Sequence, residues 1–191
     1  MDYAKNDDYK SILESVRSNL VGIAWPTIFI FLFSASVLIV LQIAYAFSKI
    51  NLFTHVAISS YFFYVMYTPL HESVHQNISG KNKKYRFLNP LLGSLSAGFY
   101  LHSYTQHKWS HLEHHKHANN PELDPDYIIK GPTWLSIAAR GFFILLIKDY
   151  FYVRKEGLKD CPKAKLAMKI GTYESLAPII LLIVITNYFN L

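Results

Sequence analysis

Residues 107–126 read HKWSHLEHHKHANNPELDPD, and five of the protein's nine histidines fall in the first eleven of them. His107, His111 and His114 or His115 recur at three- and four-residue spacing, which on an α-helix puts their imidazoles on one face. A stripe of neutral imidazoles suits a borderline transition metal. A purification tag would be contiguous and terminal, whereas this run is interrupted at helical period in mid-chain. The stretch therefore reads as a metal-ligating helix. It ends in the turn-rich Asn119-Asn120-Pro121 and Asp124-Pro125-Asp126.

The surroundings of that helix point to a membrane. Of 191 residues, 51% are apolar, 16% aromatic and 17% charged, against roughly 25% charged in a soluble domain. The net charge of +6 could suggest nucleic acid, but the lysines and arginines gather beside apolar runs, where anionic lipid headgroups account for them. No nucleic-acid partner is expected. The single cysteine, Cys161, excludes an internal disulfide and reads as structural or incidental. Residues 1–19 are polar and mixed in charge, without a cleavable signal pattern. Residues 25–47 and 52–70 are uncharged apart from His55 and long enough to cross a bilayer as helices. His55 inside a span is costly unless partnered, and is expected to be hydrogen-bonded within the bundle.

The second run ends in HESVH, His71 to His75, followed by Lys81, Lys83, Lys84 and Arg86, whereas the turn between the runs holds only Lys49. The positive-inside rule then places residues 1–19, 77–130 and 154–169 in the cytoplasm. Residues 87–103 are apolar but broken by Asn89-Pro90, Gly93 and Gly98. Crossing there would put the two histidine clusters on opposite sides, so this segment is expected to be re-entrant or interfacial. Residues 133–153 carry Arg140, Lys148 and Asp149 among aromatics and read as a helix lying in the interface. Residues 172–189, with Glu174 and Pro178 near the start, allow one more crossing. The fold expected is an all-α integral membrane protein, a single domain over residues 1–191. It has about three transmembrane helices plus re-entrant or interfacial ones, and a cytoplasmic histidine-rich metal site.

His71 and His75 stand four apart at the end of a membrane helix, and His111, His114 and His115 stand on a second cytoplasmic element. Five imidazoles, or six with His107, are too many for one zinc; two metal ions are the simpler account, and histidine ligation with open positions for dioxygen is typical of non-haem iron. Glu72 and Glu113 lie beside ligands, where a carboxylate can orient an imidazole by accepting its other N–H; a solvated glutamate is the plain alternative. HESVH has the spacing of the zinc-protease pattern HExxH, but that reading would leave the second cluster unexplained.

HxxxH at residues 71–75 followed by HxxHH at 111–115 resembles the membrane fatty acid desaturase and hydroxylase superfamily. Asn119, Pro121, Glu122 and Asp124-Pro125-Asp126, with Gly131-Pro132, Trp134-Leu135 and Ala138-Ala139-Arg140, are similar to its β-carotene hydroxylase branch. The resemblance covers residues 70–155 or so and implies two non-haem irons held by His71, His75, His111, His114 and His115. It also implies dioxygen as co-substrate and electrons from ferredoxin or a cytochrome b5-type donor. His107 lies outside the box as a possible additional ligand, and Glu72, Glu113, Asn119, Asp124 and Asp126 are possible additional or orienting groups. The implied reaction is hydroxylation of the β-carotene ring, with acyl-lipid desaturation as the alternative. The implied location is the bacterial inner membrane, with the metals on the cytoplasmic side. The superfamily's third histidine box is missing, since no histidine follows His117; the expectation is a carboxy-terminally truncated chain, inactive alone. A metal-binding membrane protein without oxidation chemistry, such as a transporter, would need ionisable residues through several spans, and only His55 qualifies.

Overall fold

The computed structural model describes residues 22–158 and 161–189, and among them it is all-helical. The polar segment 1–19, and Lys159 and Asp160 ahead of Cys161, lie outside the described residues. The helices are α1 (Trp25–Ala46), α2 (Leu52–Val74), α3 (Leu88–Phe99), α4 (Tyr104–His117), α5 (Trp134–Leu158) and α6 (Pro162–Phe189). Single 3-10 turns lie at Lys83–Tyr85 and Tyr127–Ile129.

α1 and α2 form a hairpin. Pro26 stands in the first turn of α1, where its missing N–H has no partner to lose. The connection turns at Ser48, in the left-handed region with φ 54°. It re-enters helix at Asn51, whose side chain accepts from the Thr54 amide at 2.8 Å. Phe31 and Leu38 of α1, Met66 of α2, Ile78 of the following loop and Leu92 of α3 make the first core cluster. Leu70, Val74, Ala97 and Tyr104 make the second, against the start of α4. Gly93 is required there: a Cβ would collide with the Tyr104 ring and the Ser73 hydroxyl. Asn89, which the sequence offers only as a break, is 2% exposed and holds the loop after α2. It accepts from the Ile78 amide at 3.1 Å and donates to Ser79 Oγ at 2.8 Å.

Among the described residues, α1 and α6 are the helices long and apolar enough to cross a membrane. Their outward faces stay exposed, as with Trp25, Phe29 and Val40 on α1 and Leu181 and Val184 on α6. Only 6% of the apolar window of α6 is buried inside the protein. Broad unpartnered apolar faces of this kind belong against lipid. The third expected crossing does not reach the same standard. α2 has 23 residues, enough length, but its serines, threonines, tyrosines and terminal histidines leave it less apolar than α1 or α6. α3, with 12 residues, is only about 18 Å long at 1.5 Å per residue and cannot span.

His55 also departs from expectation. Its ring stacks on Tyr45 with centroids 4.8 Å apart, but its buried Nδ1 has no hydrogen-bond partner. The hairpin offers it an aromatic face and no acceptor.

α6 is tied to the amino end of α4 by one carboxylate. Glu174 accepts from Ser103 Oγ at 2.6 Å, the Thr105 amide at 2.8 Å and Thr105 Oγ1 at 2.8 Å. An anion at a helix amino terminus meets free N–H groups and the positive end of the macrodipole. α5 and α6 close over the other flank of α4 through Val153, Ala164 and Ala167, with Trp109 and Cys161 packed against them. These contacts fix the histidine-bearing helix on three sides.

Candidate metal centre

Two elements supply the main cluster. His71 lies in the last turn of α2 and His75 is its C-cap, so both project from one end of the helix. Pro69 just before them cannot donate to the Val65 carbonyl, which loosens the helix where it meets the site. α4 starts at Ser103, whose hydroxyl accepts from the Gln106 amide at 3.0 Å. It then carries His107, His111, His114 and His115 through 14 helical residues, as the spacing predicts.

One ligand nitrogen from each of His71, His75, His111 and His115 lies within 4.8 Å of the others. His111 is central: its Nε2 is 3.1 Å from His75 Nε2 and 3.1 Å from His115 Nε2. Three ring nitrogens facing one another cannot all be satisfied by shared protons, because a neutral imidazole has one N–H and one lone pair. Protonating His111 and His75 is disfavoured as well. Burial, and then the neighbouring imidazoles of His107, His71, His115 and His75, push His111 down to about 3. His75 is lowered by burial and by His71 and His115. Lone pairs that converge and stay unprotonated at neutral pH are what a transition-metal ion binds. The donor set fits a metal.

Carboxylates hold the imidazoles from behind. His71 Nδ1 donates to Glu72 Oε1 at 3.1 Å, and Glu72 is itself fixed by Asn77, whose amide donates to Oε2 at 2.7 Å. That places the His71 lone pair on Nε2. His114, three residues beyond His111, is rotated about 60° from it around the helix and leaves the cluster. Its Nδ1 donates to Asp124 Oδ1 at 2.7 Å, with Asp126 Oδ2 at 3.8 Å. The five imidazoles of the two boxes thus divide into four plus one.

Asp124 is 8% exposed and also accepts from the amides of Asn119 and Asp126, at 2.7 and 2.8 Å. These bonds, first the one from His114, hold its carboxyl below the usual range against the opposing effect of burial. Asn119 contributes its backbone, in the left-handed region with φ 66°. Glu113 faces outward, accepting from Lys116 at 2.6 Å and lying 3.6 Å from His117.

A third group was not legible in the sequence. Asp149 of α5 is 1% exposed and its Oδ2 accepts from both His102 Nε2 at 2.9 Å and His107 Nδ1 at 2.8 Å. Lys148 Nζ donates to Asp149 Oδ1 at 2.8 Å and to Asp126 Oδ1 at 2.6 Å. Burial opposes the charge on Asp149, but the two imidazoles and then Lys148 win, and its carboxyl titrates well below the usual range. Two of the charges on which the interfacial reading rested are buried and paired within the protein. α5 turns two of its charges inward, and Arg140 donates to the Lys130 carbonyl. The available signal was an adjacent Lys-Asp pair in an otherwise aromatic stretch, a pattern that marks buried function as readily as an interface.

Residues 50–186 match the family model described as fatty acid desaturase. No curated protein and no solved structure matches the chain. The match does not point to the β-carotene hydroxylase branch. Membership carries membrane-bound oxidoreductase chemistry of the desaturase and hydroxylase type, in a family that usually binds two irons. The matched span contains the histidine tetrad and both histidine–carboxylate groups, and the chain belongs to the fatty acid desaturase family.

Proposed function

We propose that this chain supplies the histidine cage of a non-haem di-iron oxygenase that oxidises an unactivated C–H bond of a lipid-soluble substrate. The observation that carries the reading is the convergence of His71, His75, His111 and His115 nitrogens within 4.8 Å, from two separate helices. Those four would hold metal, with His114 turned to Asp124 as a further donor. Iron bound there would supply dioxygen activation. The protein's own residues do the rest. Glu72 and Asp124 fix which ring nitrogen keeps its proton, and burial of His111 keeps its lone pair free. α1 and α6 seat the site against a bilayer, from which an apolar substrate can arrive sideways. The basic residues within 81–86 and 154–169 favour a cytoplasmic site, placed in a bacterial inner membrane and fed by ferredoxin or a cytochrome b5-type donor.

For substrate we favour the β-carotene ring, on the likeness of residues 119–126 and 131–140 to ring hydroxylases. Acyl-lipid desaturation is the second reading, favoured by one specific observation: Asp124 and Asp126 are already engaged by His114 and Lys148, so the loop's carboxylates have a role that needs no ring. The test is expression of the complete coding sequence, with an electron donor, in carotene-producing bacteria, followed by analysis of pigments and fatty acids. Hydroxylated carotenoid is the expected product. New acyl double bonds with unchanged carotene would assign the second substrate. Neither product from an iron-loaded protein would overturn the oxygenase reading.

A further inference from the structure

The tetrad leaves one buried imidazole nitrogen unexplained. His107 is 5% exposed, and its Nδ1 side is committed to Asp149 at 2.8 Å. Its Nε2 points away from that carboxylate and is buried without a hydrogen-bond partner. The ring stacks on His111, with centroids 5.5 Å apart and planes 25° apart, and meets Tyr67 edge-on at 5.9 Å. The orphan nitrogen therefore belongs to a ring lying directly against the tetrad.

We infer that His107 is a metal donor through Nε2, in a donor set distinct from the tetrad, and that Asp149 is the residue that positions it. Asp149 is already occupied on both oxygens, by His102 and His107 on Oδ2 and by Lys148 on Oδ1. It is a brace rather than a ligand. With a carboxylate accepting at Nδ1, the imidazole proton is fixed there and the lone pair is fixed on Nε2, the arrangement by which a carboxylate orients a metal-binding histidine. A purely structural role as an α4–α5 strut accounts for the Nδ1 bond and leaves Nε2 buried at a cost with no return. Lys148 extends the brace. By bridging Asp149 and Asp126, it ties the His107 support to the loop that supports His114.

This inference rests on the cage reading above, and the test separates the two. The purified full chain in detergent, stripped of metal, is titrated with Co²⁺ alone, following stoichiometry by equilibrium dialysis and ligand-field absorption by visible spectroscopy. Wild type is expected to take up more than one equivalent. His111→Ala should lose the tetrad equivalent. His107→Gln should keep it and weaken the other at least tenfold. Asp149→Asn should keep both but weaken the His107 equivalent about 10–100-fold and alter its absorption, with helical circular dichroism unchanged. A structural strut would not move that absorption. Should His107→Gln fail to fold, Lys148→Gln provides the same reading through the brace. One equivalent only in wild type, removed by His111→Ala, would leave the cage standing and overturn this inference. A second equivalent unchanged in His107→Gln would overturn it too, and no binding at all would remove both readings.

Discussion

Two histidine clusters share the helix α4, which gives His111 and His115 to one and His107 to the other, and they lie in opposite electrostatic settings. In the tetrad, imidazoles face imidazoles, and the nearest carboxylate, Glu72, touches only His71. Around Asp149, two imidazoles face one buried anion, and Lys148 balances it. The first arrangement concentrates unshared lone pairs, and without a cation it has converging nitrogens and nothing to join them. The second is satisfied at every polar atom described above except His107 Nε2. One cluster offers converging lone pairs to a cation, whereas the other is a preformed frame that aims a single donor.

The largest effect separating them should come from stability. Asp149→Ala takes the shared acceptor from His102 and His107 and leaves Lys148 only Asp126, and removing one partner of a buried pair costs about 3–5 kcal/mol. His111→Ala removes a ring from an uncompensated cluster, so in the metal-free protein it should cost much less, or stabilise. Thermal unfolding of the two metal-free variants in detergent checks this. A larger loss for His111→Ala would reverse the assignment of frame and cage.

Metal loading should invert that order. His111→Ala is expected to abolish retained iron, measured by elemental analysis of the purified protein, and with it any oxidation activity. Asp124→Asn, which weakens only the hold on His114, should lower affinity about 10–100-fold. Glu113→Gln, acting on an exposed pair with Lys116, should change affinity and stability little, since such pairs are worth about 0–1 kcal/mol. Equal losses for Asp124→Asn and Glu113→Gln would mean that the carboxylate behind His114 does nothing for the metal.

Acid should find the tetrad before it finds the frame. His111 and His75 have lowered pKa values in the fold, while in the unfolded chain they titrate near the ordinary value of about 6.5. Between 6.5 and about 3 for His111, the unfolded chain binds more protons, so metal-free stability falls as pH drops below about 6.5. Asp149 and Asp124 are also lowered, and their stabilising contribution is lost only below the ordinary carboxylate range of about 4. Melting temperature of the metal-free protein should therefore already decline between pH 7 and pH 5. A flat profile down to pH 4.5 would contradict the lowered values of His111 and His75.

The smallest expected effect is topological. A Lys83→Cys variant should resist impermeant thiol reagents added outside whole cells if the proposed topology, which puts this basic loop after α2 in the cytoplasm with the histidines, holds. Ready labelling would place the frame and the cage on the outside together.

Legibility followed the range of the interactions. The tetrad could be read because HxxxH and HxxHH are spacings within single helices, and a helix converts spacing into direction without outside help. The separation of His114 depends on a turn at Asn119 that brings Asp124 back by ten residues, and local pattern reaches that only in part. His102 and Asp149 are 47 residues apart and meet through tertiary packing alone. Nothing local distinguishes Asp149 from the other charges of a helix read as interfacial. The second span was over-read for a similar reason. Absence of charge counts for less than the accumulated serine, threonine and tyrosine that α2 spends on packing and on the site.

X-ray absorption of the iron-loaded protein tests the central claim most directly, because imidazole rings bound through nitrogen scatter with a recognisable multiple-scattering pattern. The account predicts an iron environment dominated by several imidazoles, with that pattern lost from His111→Ala. Iron surrounded only by oxygen donors, or an unchanged spectrum in His111→Ala, would contradict it.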